Sequence, residues 1–114
     1  MASTPDLSPL ELQRSGDHLR FILCPQRDII PELPADYEQL LNTRLIHILA
    51  ELQPLTAEVY LQDLAAISSR QLGSLIALQK VLRPRFGRIP ITGVSDNVRR
   101  ILLMTHVAEL FELA

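Results

Sequence analysis

The side chains that most often perform chemistry are few and scattered in this sequence. None of the three histidines, His18, His47 and His106, has a cysteine or an acidic pair at the spacing of a metal site. Cys24 is the single cysteine, which excludes an internal disulfide and a cysteine-based zinc site. We expect this thiol to occupy a buried apolar position, and the sequence predicts no bound metal.

Motifs for nucleotide binding and for catalysis are also missing. Gly73, Gly87 and Gly93 do not assemble into a GxxxxGK loop or a GxGxxG turn, either of which would hold a phosphate. No serine lies in a GxSxG elbow, and no neighbouring carboxylates suggest an acid and base pair. We therefore expect no cofactor and no catalytic residue, so the chain is predicted not to be an enzyme.

Length and charge restrict the class of protein further. The 114 residues, 47% of them hydrophobic and 21% charged, suit one domain with a modest core. Eleven basic and 13 acidic residues give a net charge of -2, which disfavours nucleic acid as a partner. The apolar runs are too short for insertion into a membrane, and the N-terminus does not resemble a signal peptide. A cytoplasmic location is expected.

The first half of the chain predicts a tail, a strand region and one helix. Residues 1–16 contain prolines and little apolar periodicity, so we expect a flexible tail ahead of a domain over 17–114. The run HLRFILC, followed by RDII after Pro25, suggests one interrupted strand or two short ones. Leucines at helical spacing predict an amphipathic helix that Asp36 caps with help from Gln39 and that Pro54 ends.

The second half alternates strands with helices. A short strand is predicted near residues 57–62, followed by a helix from about Ser69, because Ser68 and Gln71 have capping-box spacing. Pro84 and Gly87 are expected to break that helix. A strand that contains Pro90, a helix capped by Ser95 and a short helix through Val107 and Phe111 complete the order.

This order predicts an α/β fold. Strands joined through helices require crossover connections, which place parallel strands in one sheet. We expect a small, mostly parallel or mixed sheet of about four strands with helices packed on it. The carboxyl ends of parallel strands share one side of the sheet. Ser95 and Asp96 should therefore lie at the same edge as Ser69.

Two stretches of the second half resemble the STAS family, named for sulfate transporters and anti-sigma factor antagonists. The first is DLAAISSRQLGSLIAL and the second is FGRIPITGVSDNVRRILLMTHVAELFEL, and together they extend the resemblance over residues 57–113. Upstream of Pro54, the order of elements carries it. The residues that match the family pattern are Asp63, Ile67, Ser69, Leu72, Gly73, Gly87, Gly93, Ser95, Val98, Arg99 and Phe111.

The resemblance implies a regulatory module that binds another protein. Anti-sigma factor antagonists switch partners when an anti-sigma factor kinase phosphorylates a serine at the start of the helix after the central strand. Ser69 is the matching position, and Ser68 is the second candidate. The candidate contacts to a partner are Arg70, Gln71, Leu72, Ser95 and Asp96.

The same positions leave an alternative open. Where the family has an acidic residue before the phosphorylated serine, this chain has Ser68, and the following Ser-Gly is Arg70-Gln71. Helix capping by Ser68 and Gln71 explains these residues without a phosphate. The alternative is a non-switching STAS-like structural subunit bound to a transporter ATPase. The residues do not identify the partner or the oligomeric state.

Overall fold

The described structure begins with a β-hairpin. The computed structural model describes residues 10–23, 36–62 and 64–113. Strand β1, Leu10–Ser15, pairs antiparallel with strand β2, His18–Leu23. Gly16, in the turn between them, has a φ of 59°. Glycine adopts this left-handed conformation without the steric cost that a side chain would add.

The prediction of a flexible tail over residues 1–16 is wrong for residues 10–16. Leu10 is buried in the core, and Leu12 packs against that core. Pairing with β2 also satisfies the backbone of this segment, and neither effect is visible in the local composition. Residues 1–9, Cys24 and Asp63 lie outside the described residues.

Five strands form one mixed sheet in the order β1-β2-β3-β4-β5. Three strands continue the sheet from β2: β3 spans Thr56–Tyr60, β4 spans Pro90–Thr92 and β5 spans Glu112–Leu113. Each of them pairs parallel with the strand before it. This confirms the predicted α/β fold, with one strand more than the expected number of about four. Two strands were not predicted individually: β1, which lies in the expected tail, and β5, which has only two residues.

In the described residues, three α-helices and one 3-10 helix connect the strands. Helix α1 spans Tyr37–Leu52, α2 spans Ser69–Phe86 and α3 spans Asp96–Met104. The 3-10 helix, Val107–Leu110, precedes β5 where the sequence predicted a helix through Phe111. Phe111 is instead extended, and the next amide, of Glu112, donates to the Ile89 carbonyl at 2.9 Å.

Two helix boundaries differ from the prediction. The Asp36 side chain makes no capping hydrogen bond, because its backbone (φ -101°, ψ 21°) is not in the extended conformation of a capping residue. Helix α2 continues through Pro84 and ends before Gly87, whose φ is 68°. Proline in the last turn removes only one backbone hydrogen bond, so the helix survives there.

The described helices pack on one face of the sheet. Alternate strand residues such as Phe21, Val59 and Ile91 are fully buried in the same core cluster as Leu45 of α1 and Leu78 of α2. Successive side chains of a strand point to opposite faces. The residues between them therefore form a second face, opposite the described helices, which we call the open face.

Gly93 determines how the chain leaves β4. Its φ is 64°, and a Cβ atom at this position would lie 2.5 Å from Cε1 of Tyr60. Both the backbone conformation and the contact with the tyrosine ring therefore favour glycine. The turn directs the chain from the end of β4 toward Ser95, where α3 begins.

Candidate protein-docking site

The segments that follow β3 and β4 meet at one edge of the sheet. The two strands are parallel neighbours, so both end on the same side. The Ser95 hydroxyl donates to the Leu64 carbonyl at 2.5 Å, and the Asn97 amide donates to the Ala65 carbonyl at 2.8 Å. We call the surface formed by residues 64–72 and 93–97 the carboxyl edge.

Ser68 and Gln71 form a complete capping box at the start of α2. The Ser68 hydroxyl accepts a hydrogen bond from the Gln71 amide at 3.1 Å. The Gln71 side-chain oxygen accepts one from the Ser68 amide at 2.7 Å. This confirms the predicted cap, and it assigns both side chains a structural role because they satisfy amides that the helix leaves unpaired.

Ser69 differs from Ser68 in its surroundings. It is the first residue of α2 and is exposed. Its hydroxyl has no hydrogen-bond partner among the described residues, whereas the Ser68 hydroxyl is engaged in the cap. Both serines are exposed, so they differ in the engagement of their hydroxyls: that of Ser68 caps the helix, and that of Ser69 does not.

The other candidate contacts divide into accessible and buried side chains. Asp96 is exposed, while Leu72 and Ser95 are half-buried. The exposed fractions of Arg70 and Gln71 are only 8% and 4%. Burial of these two residues leaves Ser68, Ser69 and Asp96 exposed, with Leu72 and Ser95 accessible in part.

The accessible edge combines polar and apolar character. Beside the exposed Ser69, the side chains of Leu64, Ile67 and Leu72 are partly buried and pack against the core. Each leaves some apolar surface at the carboxyl edge. Apolar surface next to a few polar groups is the composition of a protein interface.

A second polar cluster lies on the open face and was missed by the sequence analysis. Glu58 of β3, with a side chain only 12% exposed, accepts hydrogen bonds from His18 Nε2 and Arg20 Nε, each at 2.9 Å. The Thr92 hydroxyl donates to its other oxygen at 3.1 Å. The guanidinium of Arg20 also lies 5.1 Å from the centroid of the Tyr60 ring.

The cluster includes a hydroxyl, an imidazole and a carboxylate in series. Thr56 Oγ1 lies 2.7 Å from His18 Nδ1, and Nε2 of the same ring contacts Glu58. This order of groups is that of a nucleophile, its general base and the carboxylate that orients the base. The Glu58 carboxylate is shared with Arg20 and Thr92, however, so we interpret the cluster as a cross-strand network that holds β2, β3 and β4 in register.

Opposing effects act on the pKa of Glu58. Burial raises the pKa of this carboxyl, but hydrogen bonds from His18, Arg20 and Thr92, together with the charge of Arg20, lower it. The net result is a pKa below the ordinary value of 4.5. The carboxylate is thus stabilised in its charged form by the fold.

Neither a metal site nor a membrane-spanning helix is found in the described part of the chain. Its histidine and acidic side chains do not form a group of three or more that could hold a metal ion. Within residues 10–23, 36–62 and 64–113, no helix has both the length and the apolar character that a bilayer crossing requires.

Comparison with known proteins identifies the fold but not a family. No protein-family model and no curated protein matches the chain. The NMR structure of the protein TM1081 is similar, with a TM-score of 0.62 and 16% sequence identity over 90% of this chain and 78% of TM1081. At this identity, the similarity shows a shared small α/β fold.

The two adjacent serines should respond differently to substitution. We expect Ser68→Ala to lower the free energy of unfolding by about 1 kcal/mol, because the cap of α2 is lost. Ser69→Ala should change it by less than about 0.5 kcal/mol, because the exposed hydroxyl supports nothing in the fold. Urea denaturation measures both values. Equal losses would show that Ser69 also has a structural role.

The Glu58 network should make stability depend on pH. Because the pKa of Glu58 is lower in the folded than in the unfolded protein, its contribution is present above the unfolded-state pKa and disappears as pH falls through the folded-state pKa. At pH 7, Glu58→Gln should cost about 1–3 kcal/mol.

Urea denaturation from pH 7 to acid should therefore show a smaller decline in stability for Glu58→Gln than for the unmodified chain. Glu51→Gln, at an exposed position on α1, is the matched control and should retain the decline of the unmodified chain. An unchanged pH profile in Glu58→Gln would contradict the role assigned to this carboxylate.

Proposed function

We propose that this chain is a cytoplasmic regulatory module of the anti-sigma factor antagonist type, which binds a serine kinase or anti-sigma factor and changes partner on phosphorylation. The observation that carries the proposal is the accessible hydroxyl of Ser69, next to Ser68, whose hydroxyl caps α2. Ser69 is also the position at which the STAS-like sequence pattern has its phosphorylated serine. Of the two candidates, we assign the phosphate to Ser69.

A phosphate at Ser69 would act directly on a docking surface. It adds about 1.5–2 negative charges at neutral pH. The first turn of α2 tolerates this charge, because the positive end of the helix dipole lies there. A partner packed on the neighbouring Leu72 and Ile67 would instead have to bury the charge against apolar surface. Phosphorylation would thereby release the partner while leaving the fold intact.

The proposed role gives this chain no catalytic step. The partner kinase would supply ATP and transfer its terminal phosphoryl group to the Ser69 oxygen, with loss of the hydroxyl proton. This chain would present the hydroxyl and the surrounding contacts. The proposal accordingly assigns no enzyme activity and no cofactor to the protein.

One observation favours a second function at the same edge. The capping box occupies Ser68 and Gln71, which replace two residues of the acidic-Ser-Ser-Gly turn in the family pattern. A cap needs no kinase, so the same surface could bind permanently. The second candidate is therefore a STAS-like subunit held by a transporter ATPase, without a switch.

Partner capture with three forms of the chain tests the proposal. The unmodified chain, Ser69→Asp and Ser69→Ala would each be used to recover partners from the source cells, with mass spectrometry of the partners and of the peptide that contains Ser68 and Ser69. We expect an anti-sigma-type kinase, phosphate on Ser69, and about tenfold weaker binding by Ser69→Asp, because the added charge is desolvated. Ser69→Ala is the matched control and should bind normally.

Each outcome has a definite meaning for the two candidates. A transporter ATPase that binds all three forms equally, together with an unmodified peptide, would reject switching and support the structural subunit. Phosphate on Ser68 in place of Ser69 would contradict the assignment, and Ser68→Asp would then be expected to weaken binding. Recovery of no specific partner would reject both candidates.

A further inference from the structure

Helix α3 has two large apolar side chains that lie outside the core cluster and are exposed. Leu103 is 55% exposed and Met104 is 72% exposed. They are adjacent in the chain, whereas the other exposed large hydrophobic side chains of the described residues, Ile46 and Leu55, lie on α1 and before β3. Leu103 and Met104 are both exposed on the last turn of the helix, and exposed apolar side chains that lie close together mark interaction sites more often than isolated ones do.

Helix α3 packs into the core through its inward face. Val98 and Leu102 are fully buried in the core cluster, while Leu103 and Met104 do not belong to it. The end of the helix is also closed independently, because the Thr105 hydroxyl donates to the Ile101 carbonyl at 2.8 Å. The exposed pair therefore has no packing role that would explain its apolar character.

Basic side chains lie next to this apolar pair. Residues four apart are neighbours on a helix surface, so Arg99 lies beside Leu103 and Arg100 beside Met104. Both arginines are exposed. Arg100 makes no ion pair with any described residue, although Asp96 lies one turn before it. We call Arg99, Arg100, Leu103 and Met104 the α3 stripe.

The stripe continues the carboxyl edge. Ser95 and Asn97, at the start of α3, donate hydrogen bonds to the carbonyls of Leu64 and Ala65 in the loop before α2. From there, the helix extends about 13 Å to Met104 at 1.5 Å per residue. A protein bound at the carboxyl edge could therefore reach the stripe without a gap.

We propose that the α3 stripe binds an acidic amphipathic segment of the protein partner, an inference that rests on the proposed docking function of the carboxyl edge. Apolar side chains of the segment pack on Leu103 and Met104, and a carboxylate of the segment pairs with Arg100, while Arg99 adds positive charge beside it. The inference rests on charge complementarity: two exposed arginines flank the apolar pair on a chain whose net charge is -2. Such rim charges select partners and accelerate association more than they add affinity.

A protein segment suits the stripe better than a lipid surface does. Two apolar side chains and two arginines provide little of the buried area and basic charge on which stable membrane attachment depends. Binding to anionic vesicles is therefore the competing result of the test.

A set of designed peptides tests the chemistry of the stripe without knowledge of the partner. Three fluorescent peptides of about 18 residues, long enough to form helix, would be titrated with the full chain. The first has a leucine face and a glutamate face, the second replaces glutamate with lysine, and the third replaces leucine with serine. We expect saturable binding of the first alone, measured by fluorescence anisotropy, and weaker binding at high salt.

Substitutions assign the binding to the stripe. We expect Arg100→Glu, and the double change of Leu103→Gln with Met104→Gln, each to weaken binding of the first peptide by about tenfold. Ile46→Gln and Leu55→Gln remove comparably exposed apolar side chains elsewhere, so they are matched controls that should stay within about twofold. Urea denaturation of each variant shows that its fold is retained.

The outcomes separate this inference from the proposed function. Ser69→Asp should leave peptide binding within about twofold, because Ser69 lies outside the stripe. If Ser69 does not control partner binding, the partner-capture experiment will show it, while binding of the designed peptide will be unaffected. Equal binding of the lysine peptide, equal losses in the control variants, or binding to phosphatidylglycerol vesicles in place of the acidic peptide would overturn the inference.

Discussion

The hydrogen bonds from Ser95 and Asn97 to the carbonyls of Leu64 and Ala65 fix the loop that leads into α2. This loop joins a β3 strand buried within the sheet to an 18-residue helix. Leu64 and Ile67 of this loop pack against the core, and the two side-chain hydrogen bonds hold its backbone carbonyls in addition. Gly93 contributes to these hydrogen bonds, because its left-handed backbone turns the chain beside Tyr60 and places Ser95 next to the loop. The two helix starts are therefore positioned as one unit.

This coupling explains how a small fold could keep structure and regulation apart. Both serines are exposed, but the Ser68 hydroxyl is part of the cap of α2, whereas the Ser69 hydroxyl is not. A modification of Ser69 would change the surface without removing a bond on which α2 depends. The Glu58 network lies on the open face of the sheet and contributes to stability there, separately from the carboxyl edge.

Local signals in the sequence predicted the features that depend on neighbouring residues. The capping box of Ser68 and Gln71, the cap by Ser95 and the leucine spacing of α1 all act over one or two helical turns. These signals were sufficient for the α/β fold, whereas Ser69 was selected by the resemblance to the STAS family. Burial of Arg70 and Gln71 could not be predicted in this way, because it depends on how α2 packs against the rest of the chain.

Features that depend on distant partners were missed for the same reason. Strand β1 is stable because β2 pairs with it, and its own composition resembles a polar tail. The Glu58 network joins residues that are 34 to 40 positions apart, so it exists only once the register of β2, β3 and β4 is fixed. Alternating polar residues in β2 and β3 were a usable signal for the open face, but not for the contacts within it.

Hydrogen exchange of the chain, free and bound to its recovered partner, tests most directly whether the carboxyl edge is the docking surface. The account predicts slower amide exchange in the bound state over residues 64–72 and 93–104, with little change in β1 and β2. Protection confined to the hairpin or the open face, with unchanged exchange at the carboxyl edge, would contradict it.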